Sequence, residues 1–502
     1  MKDVQVPLNR FERFSDVIDA RQFESYLETA EKLRRRFEGR IVWNINTTDA
    51  GGGVAEMLRS LIAYVRGFGI DSRWVVMEAG DDFFRITKRL HHALHGSPGD
   101  GSPLDESARR VYDEAMRANA GELLARVRPR DVVLVHDPQP AGLATPLIRA
   151  GALVVWRCHI GHDKPNREVE EGWKFLSPYL QDVPALVFSR KAYIPSELDG
   201  DRASIITPSV DAFSPKNQDL DAATVRSILV HVGIVEGPDG SSLTFTRQDG
   251  SPARVDRQAD IVRLGRPPSF EVPLVVQVSR WDPLKDPVGV MNGFGHLVEE
   301  GRVGDAHLVL AGPNVHAIAD DPEGGEVLDS VISEWRQLPH AVRHRVHIVC
   351  LPMSDFEENA AIVNALQRHA TVIVQKSLHE GFGLTVTEAM WKGRAVLASA
   401  VGGIQDQIDD GVHGLLINDP TDIEAFAAKL ERLLHDDELR ESLGNKARER
   451  VRDEFLGVHQ LIRHGRLIEG LDQAHEECGR PDVFTREVMQ RHCCHLSFSA
   501  KA

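Results

Sequence analysis

Two glutamates, Glu380 and Glu388, bracket a Gly-Phe-Gly turn in HEGFGLTVTEAMWKG, residues 379–393. A carboxylate accepts hydrogen bonds from hydroxyl groups, whereas backbone N–H groups at a helix start hold anions. Carboxylates beside a phosphate site do nothing for the phosphate, but they suit hydroxyl groups on either side of it. One ligand, a nucleotide sugar, uses all three features. The N–H groups of Gly381, Phe382, Gly383, Leu384 and Thr385 would be donors at the positive end of a helix that starts near Leu384. Glu380 would accept from sugar hydroxyls and Glu388, one turn in, from a ribose diol. The plainer alternative is a capping Glu380 and a solvated Glu388.

A second constellation is QVSRWDPLKDP, residues 277–287, where Arg280 and Lys285 follow an apolar run. The loop beyond a strand's carboxyl end is where open α/β sheets bind ligands, and two cations there suit a diphosphate. A solvated surface pair is the competing reading. A third is NTTDAGGGVAEML, where Gly51, Gly52 and Gly53 stand between an apolar run and a helical stripe of Val54, Met57, Leu58, Leu61, Ile62 and Val65. The helix is expected from about Gly53, with backbone N–H groups that a ligand can approach. No Walker Lys-Ser or Lys-Thr follows and the spacing is not GxGxxG, so a tight structural turn remains open.

These residues need elements to hold them. Apolar runs at 41–45, 73–77, 132–135, 153–156 and 185–188 form one set, and 273–278, 307–312, 346–350, 371–375, 395–399 and 414–418 a second. Continuous apolar runs separated by helical patterns indicate buried parallel strands, so the sequence predicts α/β architecture twice over. We place an N-terminal domain at 1–212, with a helical extension at 1–38, and a second at 213–455. A stretch rich in Gly, Pro, Asp and Arg at 231–268 reads as an irregular insertion. The segment 456–502 is helical and either caps the second sheet or crosses back to the first domain.

The 502 residues carry 59 Lys and Arg against 75 Asp and Glu, a net charge of -16, which argues against nucleic acid or anionic membrane as a partner. No apolar run is long enough to span a bilayer and the start lacks a signal-peptide pattern, so a cytoplasmic protein is expected. Five cysteines, Cys158, Cys350, Cys478, Cys493 and Cys494, are scattered without CxxC spacing, which indicates neither a disulfide framework nor a zinc site. The tail RHCCH at 491–495 crowds ligand-type residues together, but near a terminus it reads as a reduced tail.

Taken together, the two glutamates, the SRWDPLKDP loop and the GGG turn resemble retaining glycosyltransferases of family 4. VHDPQPAGL (135–143) and WRCHIG (156–161) narrow the resemblance to the trehalose glycosyltransferring synthases and the related retaining trehalose phosphorylases. It covers about residues 41–455. It implies the GT-B fold, with two Rossmann-like doubly wound parallel-sheet domains facing a cleft and a helical C-terminus. The implied donor is ADP- or UDP-glucose, the acceptor glucose and the product trehalose, formed reversibly. The resemblance gives Arg280 and Lys285 the diphosphate, Glu380 and residues 381–384 the donor glucose, and Glu388 the ribose. It lets Gly52 and Gly53 close over the diphosphate, turns His159 towards the donor sugar, and puts Asp137 and Gln139 in the acceptor pocket. It implies no tightly bound cofactor and no protein-ligated metal, Mg2+ at most stimulating the reaction in solution, and a homodimer as the family's habit. A phosphorylase using glucose 1-phosphate and a sugar-nucleotide-binding protein without trehalose activity are the alternatives. Glu388 favours the synthase, because a phosphorylase has no ribose to bind. The insertion and the HDKPN sequence after WRCHIG depart from the compact synthases and bear on acceptor choice.

Overall fold

The computed structural model describes residues 1–49, 52–238, 240, 242–315 and 322–478. Gly51 and the RHCCH tail lie outside the described residues. The chain divides into two compact units, Met1–Ser209 with the chain from Gly457 onwards, and Val210–Leu456.

The first unit is built on seven strands: β1 (Lys2–Val4), β2 (Val42–Asn46), β3 (Ser72–Val76), β4 (Val132–His136), β5 (Leu153–Cys158), β6 (Ala185–Phe188) and β7 (Ala203–Ile205). They lie in the order β1-β3-β2-β4-β5-β6-β7, parallel except for β1, which pairs antiparallel with β3 at the edge. The reversal of strand order beside β2 makes this a doubly wound sheet. Successive residues alternate between two buried faces, which explains the unbroken apolar runs. Val133, Val135, Val154, Trp156, Leu186 and Phe188 face one cluster. Val132, Leu134, Val155 and Val187 face another, shared with Leu33 and Phe37 and with Leu467 and Leu471 of the last described helix, Gly457–Cys478. A fully buried leucine contributes about 1.5–3 kcal/mol.

That last helix therefore belongs to the first unit. Asp472, buried within it, pairs with Arg36 at 2.7 Å, Arg40 at 3.0 Å and Arg130 at 2.9 Å. Arg36 ends the helix Ala20–Arg36, whose start is capped by Asp19 accepting from the N–H groups of Arg21 and Gln22. The extension at 1–38 is thus helical, but it also supplies strand β1, too short for its three residues to show a period.

The second unit carries β8 (Thr244–Thr246), β9 (Pro252–Arg254), β10 (Asp260–Val262), β11 (Leu274–Val278), β12 (His307–Pro313), β13 (Val346–Leu351), β14 (Val372–Gln375), β15 (Ala395–Ser399) and β16 (Leu415–Ile417). Its main sheet runs β10-β13-β12-β11-β14-β15-β16, parallel except for β10 against β13. The stretch at 231–268 is more ordered than its composition suggests. β8 and β9 form a hairpin, and β10 lies on the edge of the main sheet. The buried carboxylate of Glu358 ties the stretch down, accepting from the N–H groups of Asp256 and Arg257, each at 2.7 Å. No described helix is long and apolar enough to cross a membrane.

Candidate active site

In the second unit β11 and β14 are neighbours, and both end beside the loops that carry the charged residues. After β11, Asp282 accepts from the N–H of Leu284 and starts a short 3-10 turn, Pro283–Lys285. The helix Pro287–Glu299 follows at once. After β14, residues 376–383 form a loop that enters the helix Leu384–Trp391. The two loops are joined where the N–H of Leu378 donates to the carbonyl of Leu284 at 2.8 Å.

This brings Lys285 and Glu380 together. The Lys285 ammonium donates to both Glu380 oxygens, at 2.7 and 2.8 Å, and the Ser377 hydroxyl donates to one of them at 2.9 Å. The two side chains are only 15% and 12% exposed, so the pair is charge-assisted and partly withdrawn from water. Arg280 stands apart, 66% exposed, with its guanidinium on Asp282 at 3.0 Å.

The helix Leu384–Trp391 starts at Gly383, which lies in the left-handed region at φ 86, and no side chain caps it. Its first N–H groups point at whatever occupies the turn. Phe382 turns its ring into the interior against Phe455, so it offers the turn only its backbone. Gln407 braces the turn from behind, donating to the Phe382 carbonyl at 2.6 Å while accepting from Thr387 at 2.7 Å. Gly402 crosses so near that a Cβ would lie 1.8 Å from the Glu380 carbonyl oxygen. Glu388 is buried one turn into the helix, with the Lys216 ammonium 3.5 Å from a carboxylate oxygen. The alternative of a solvated Glu388 is excluded by that burial. Gly393 follows the last turn at φ 68.

The first unit holds the other group. Asp137 follows β4 directly in a left-handed conformation, φ 68, unusual for a residue with a side chain. Its N–H donates to the Arg157 carbonyl at 2.7 Å and its carbonyl accepts from the Trp156 indole at 2.9 Å. That strained turn aims the carboxylate at His159, whose backbone N–H donates at 2.8 Å and whose Nδ1 lies 3.1 Å from both oxygens. Arg157 donates from Nε to His159 Nε2 at 2.7 Å, and this fixes the tautomer: Nδ1 carries the proton. Burial pushes the Asp137 carboxyl up, but the His159 donors overcome it and hold the group down to about 2. Burial lowers His159 itself, so the imidazole is neutral. His159 is thus engaged at both ring nitrogens. Gln139, two residues on, is half-buried. Gly52 and Gly53 open the helix Gly52–Gly67 one residue earlier than expected.

Sequence reasoning picked out Lys285, Glu380, Asp137 and His159 separately; the structure joins them into two pairs. It missed Ser377, Gln407 and Gly402 around the first pair. Around the second it missed Arg157, a fully buried cation that also donates to His464 and to the Ile206 carbonyl. Both groups sit at strand ends, and a polar residue closing an apolar run was the available signal.

Comparison with known proteins bears on both units. Residues 44–195 match the family "Trehalose synthase, N-terminal domain", and residues 267–450 match "Glycosyl transferases group 1". The trehalose synthase of Pyrococcus horikoshii is 33% identical over 471 residues, covering 94% of this chain and 99% of that one. The trehalose synthase of Rubrobacter xylanophilus is 35% identical, covering 88% and 93%. In fold the chain is similar to an α,α-trehalose-phosphate synthase (UDP-forming) from Burkholderia xenovorans, with a TM-score of 0.64, 16% identity, and 86% and 100% of the two chains covered. Two parallel-sheet units of the GT-B type, matched along nearly their whole length by such relatives, place the chain in the trehalose synthase family of glycosyltransferases.

Proposed function

We propose that this protein is a retaining glycosyltransferase that makes trehalose reversibly from ADP- or UDP-glucose and glucose. The observation that carries the reading is the Lys285–Glu380 pair beside the uncapped start of the helix Leu384–Trp391. A cation, an acceptor carboxylate and a helix start that no side chain caps, all in one place, are what a glucosyl diphosphate requires. In this reading Lys285 and Arg280 neutralise the leaving diphosphate. Glu380 and the backbone of residues 381–384 hold the glucose, and the buried Glu388 takes the ribose hydroxyls. Asp137 and Gln139 shape the acceptor side, and the N–H groups of Gly52 and Gly53 serve the diphosphate. Retention follows a front-side course in which the leaving phosphate oxygen takes the acceptor's proton, so no glycosidase-like carboxylate pair is needed. The cations replace a metal: no protein-held metal is proposed.

The test is a product assay with purified protein and glucose, supplying ADP-glucose, UDP-glucose, GDP-glucose and α-glucose 1-phosphate separately, with and without a chelator. Trehalose from a nucleotide sugar in the presence of chelator supports the reading, and NMR of the product should show both anomeric centres α. Trehalose from glucose 1-phosphate alone makes the protein a phosphorylase, and no trehalose from any donor overturns the acceptor assignment.

A further inference from the structure

Lys376 follows β14 directly and its side chain is fully buried, 0% exposed. Its ammonium pairs with the carboxylate of Asp286, the residue immediately after Lys285. Asp286 is itself strained: it lies in the left-handed region at φ 48, ψ 49, where glycine would be the unstrained choice. The same carboxylate caps the helix Pro287–Glu299, accepting from the N–H of Gly289 at 3.0 Å. Gly289 makes room for it, since a Cβ there would fall 2.0 Å from an Asp286 oxygen. Gln277 completes the link, donating to the Lys285 carbonyl at 3.0 Å and accepting from the Lys376 N–H at 3.4 Å.

A buried ammonium and a left-handed aspartate are both costly, and an apolar residue with a glycine would serve stability as well or better. Their joint effect is to fix the backbone from which the Lys285 side chain departs. We infer that Lys376 and Asp286 are positioning residues, a buried ion pair that holds Lys285 on the leaving phosphate. This rests on the role proposed for Lys285. The pair touches no substrate: it acts by keeping the Lys285 ammonium where negative charge develops during transfer.

The experiment compares wild type with the double variant Asp286→Gly, Lys376→Met, which removes both charges together and relieves the strain. Steady-state kinetics with UDP- and ADP-glucose and thermal unfolding are measured on each. A positioning role predicts cooperative unfolding within a few degrees of wild type, with kcat reduced about 100-fold, the scale of a small misplacement of a catalytic group. The KM for glucose should stay within about threefold, because only transition-state stabilisation is lost. Should the double variant fail to fold, Asp286→Asn with Lys376→Met keeps the capping oxygen, tolerates the left-handed turn and leaves no unpaired buried charge, and the same fall in kcat is expected. A kcat within about threefold of wild type in a folded variant overturns the inference alone. A wild type that uses glucose 1-phosphate instead is tested the same way with that donor, since Lys285 still meets a phosphate. A wild type inactive with every donor overturns the functional reading and the inference together.

Discussion

Lys285 and Glu380 stand 95 positions apart in sequence and share a bidentate contact. Removing either leaves the other's charge half-buried and uncompensated, so some loss of stability accompanies the loss of chemistry. Lys285→Ala and Glu380→Ala should each lower kcat/KM by about 100-fold or more while circular dichroism stays native; near-normal turnover in either would remove that pair from the site. What the sequence disclosed at this scale was residue type and local spacing. It could not disclose that Asp137 meets His159, because that contact crosses between adjacent strands, or that Arg157, two residues before His159, turns its buried side chain back to fix the tautomer. Lys376 was hidden for a different reason: an apolar run gives no sign whether the lysine that ends it turns outwards or is buried.

Among elements, the loop carrying Glu380 depends on a close crossing rather than on its own sequence. Gly402, at φ 52, lies against the Glu380 carbonyl, and Gly403 donates to the Gly381 carbonyl at 2.9 Å. A methyl group at 402 has nowhere to go. Gly402→Ala should destabilise the protein by about 1–3 kcal/mol and reduce activity by displacing Glu380; both are read from urea unfolding and donor kinetics. Most of the parallel strands were legible as apolar runs between helical patterns, but the three-residue β7 was not. The antiparallel edge strands β1 and β10 were not, being three residues long, partly polar and ordered by pairing with a distant neighbour. The start of the helix near Leu384 was legible in the sequence, and Gly393, past its end, takes the positive φ favoured after a helix C-terminus.

At the scale of the whole molecule, several histidines are buried neutral. Burial lowers His347 and His464 from 6.5 to about 3. Their folded pKa is depressed, so their contribution to stability is complete above about pH 6.5 and is lost as pH falls from there towards 3. Each can steepen the decline by up to ~1.4 kcal/mol per pH unit. The urea midpoint should therefore drop between pH 7 and pH 5, and a flat profile would contradict their neutrality in the folded state. The double α/β organisation was readable from the two sets of apolar runs, but the destination of the last helix was not, because an amphipathic stripe does not name its partner. Its docking through Leu467, Leu471 and Asp472 has a consequence for synthesis on the ribosome. Residues up to Ser209 emerge first, yet the hydrophobic face around Leu33, Phe37 and Leu134 must wait for the chain beyond Gly457. The middle unit can fold in the interval, as an insert within an unfinished host. A nascent chain stalled before Gly457 should show a protease-resistant 210–456 core while its leading segment is still cleaved, and release of the full chain should protect both.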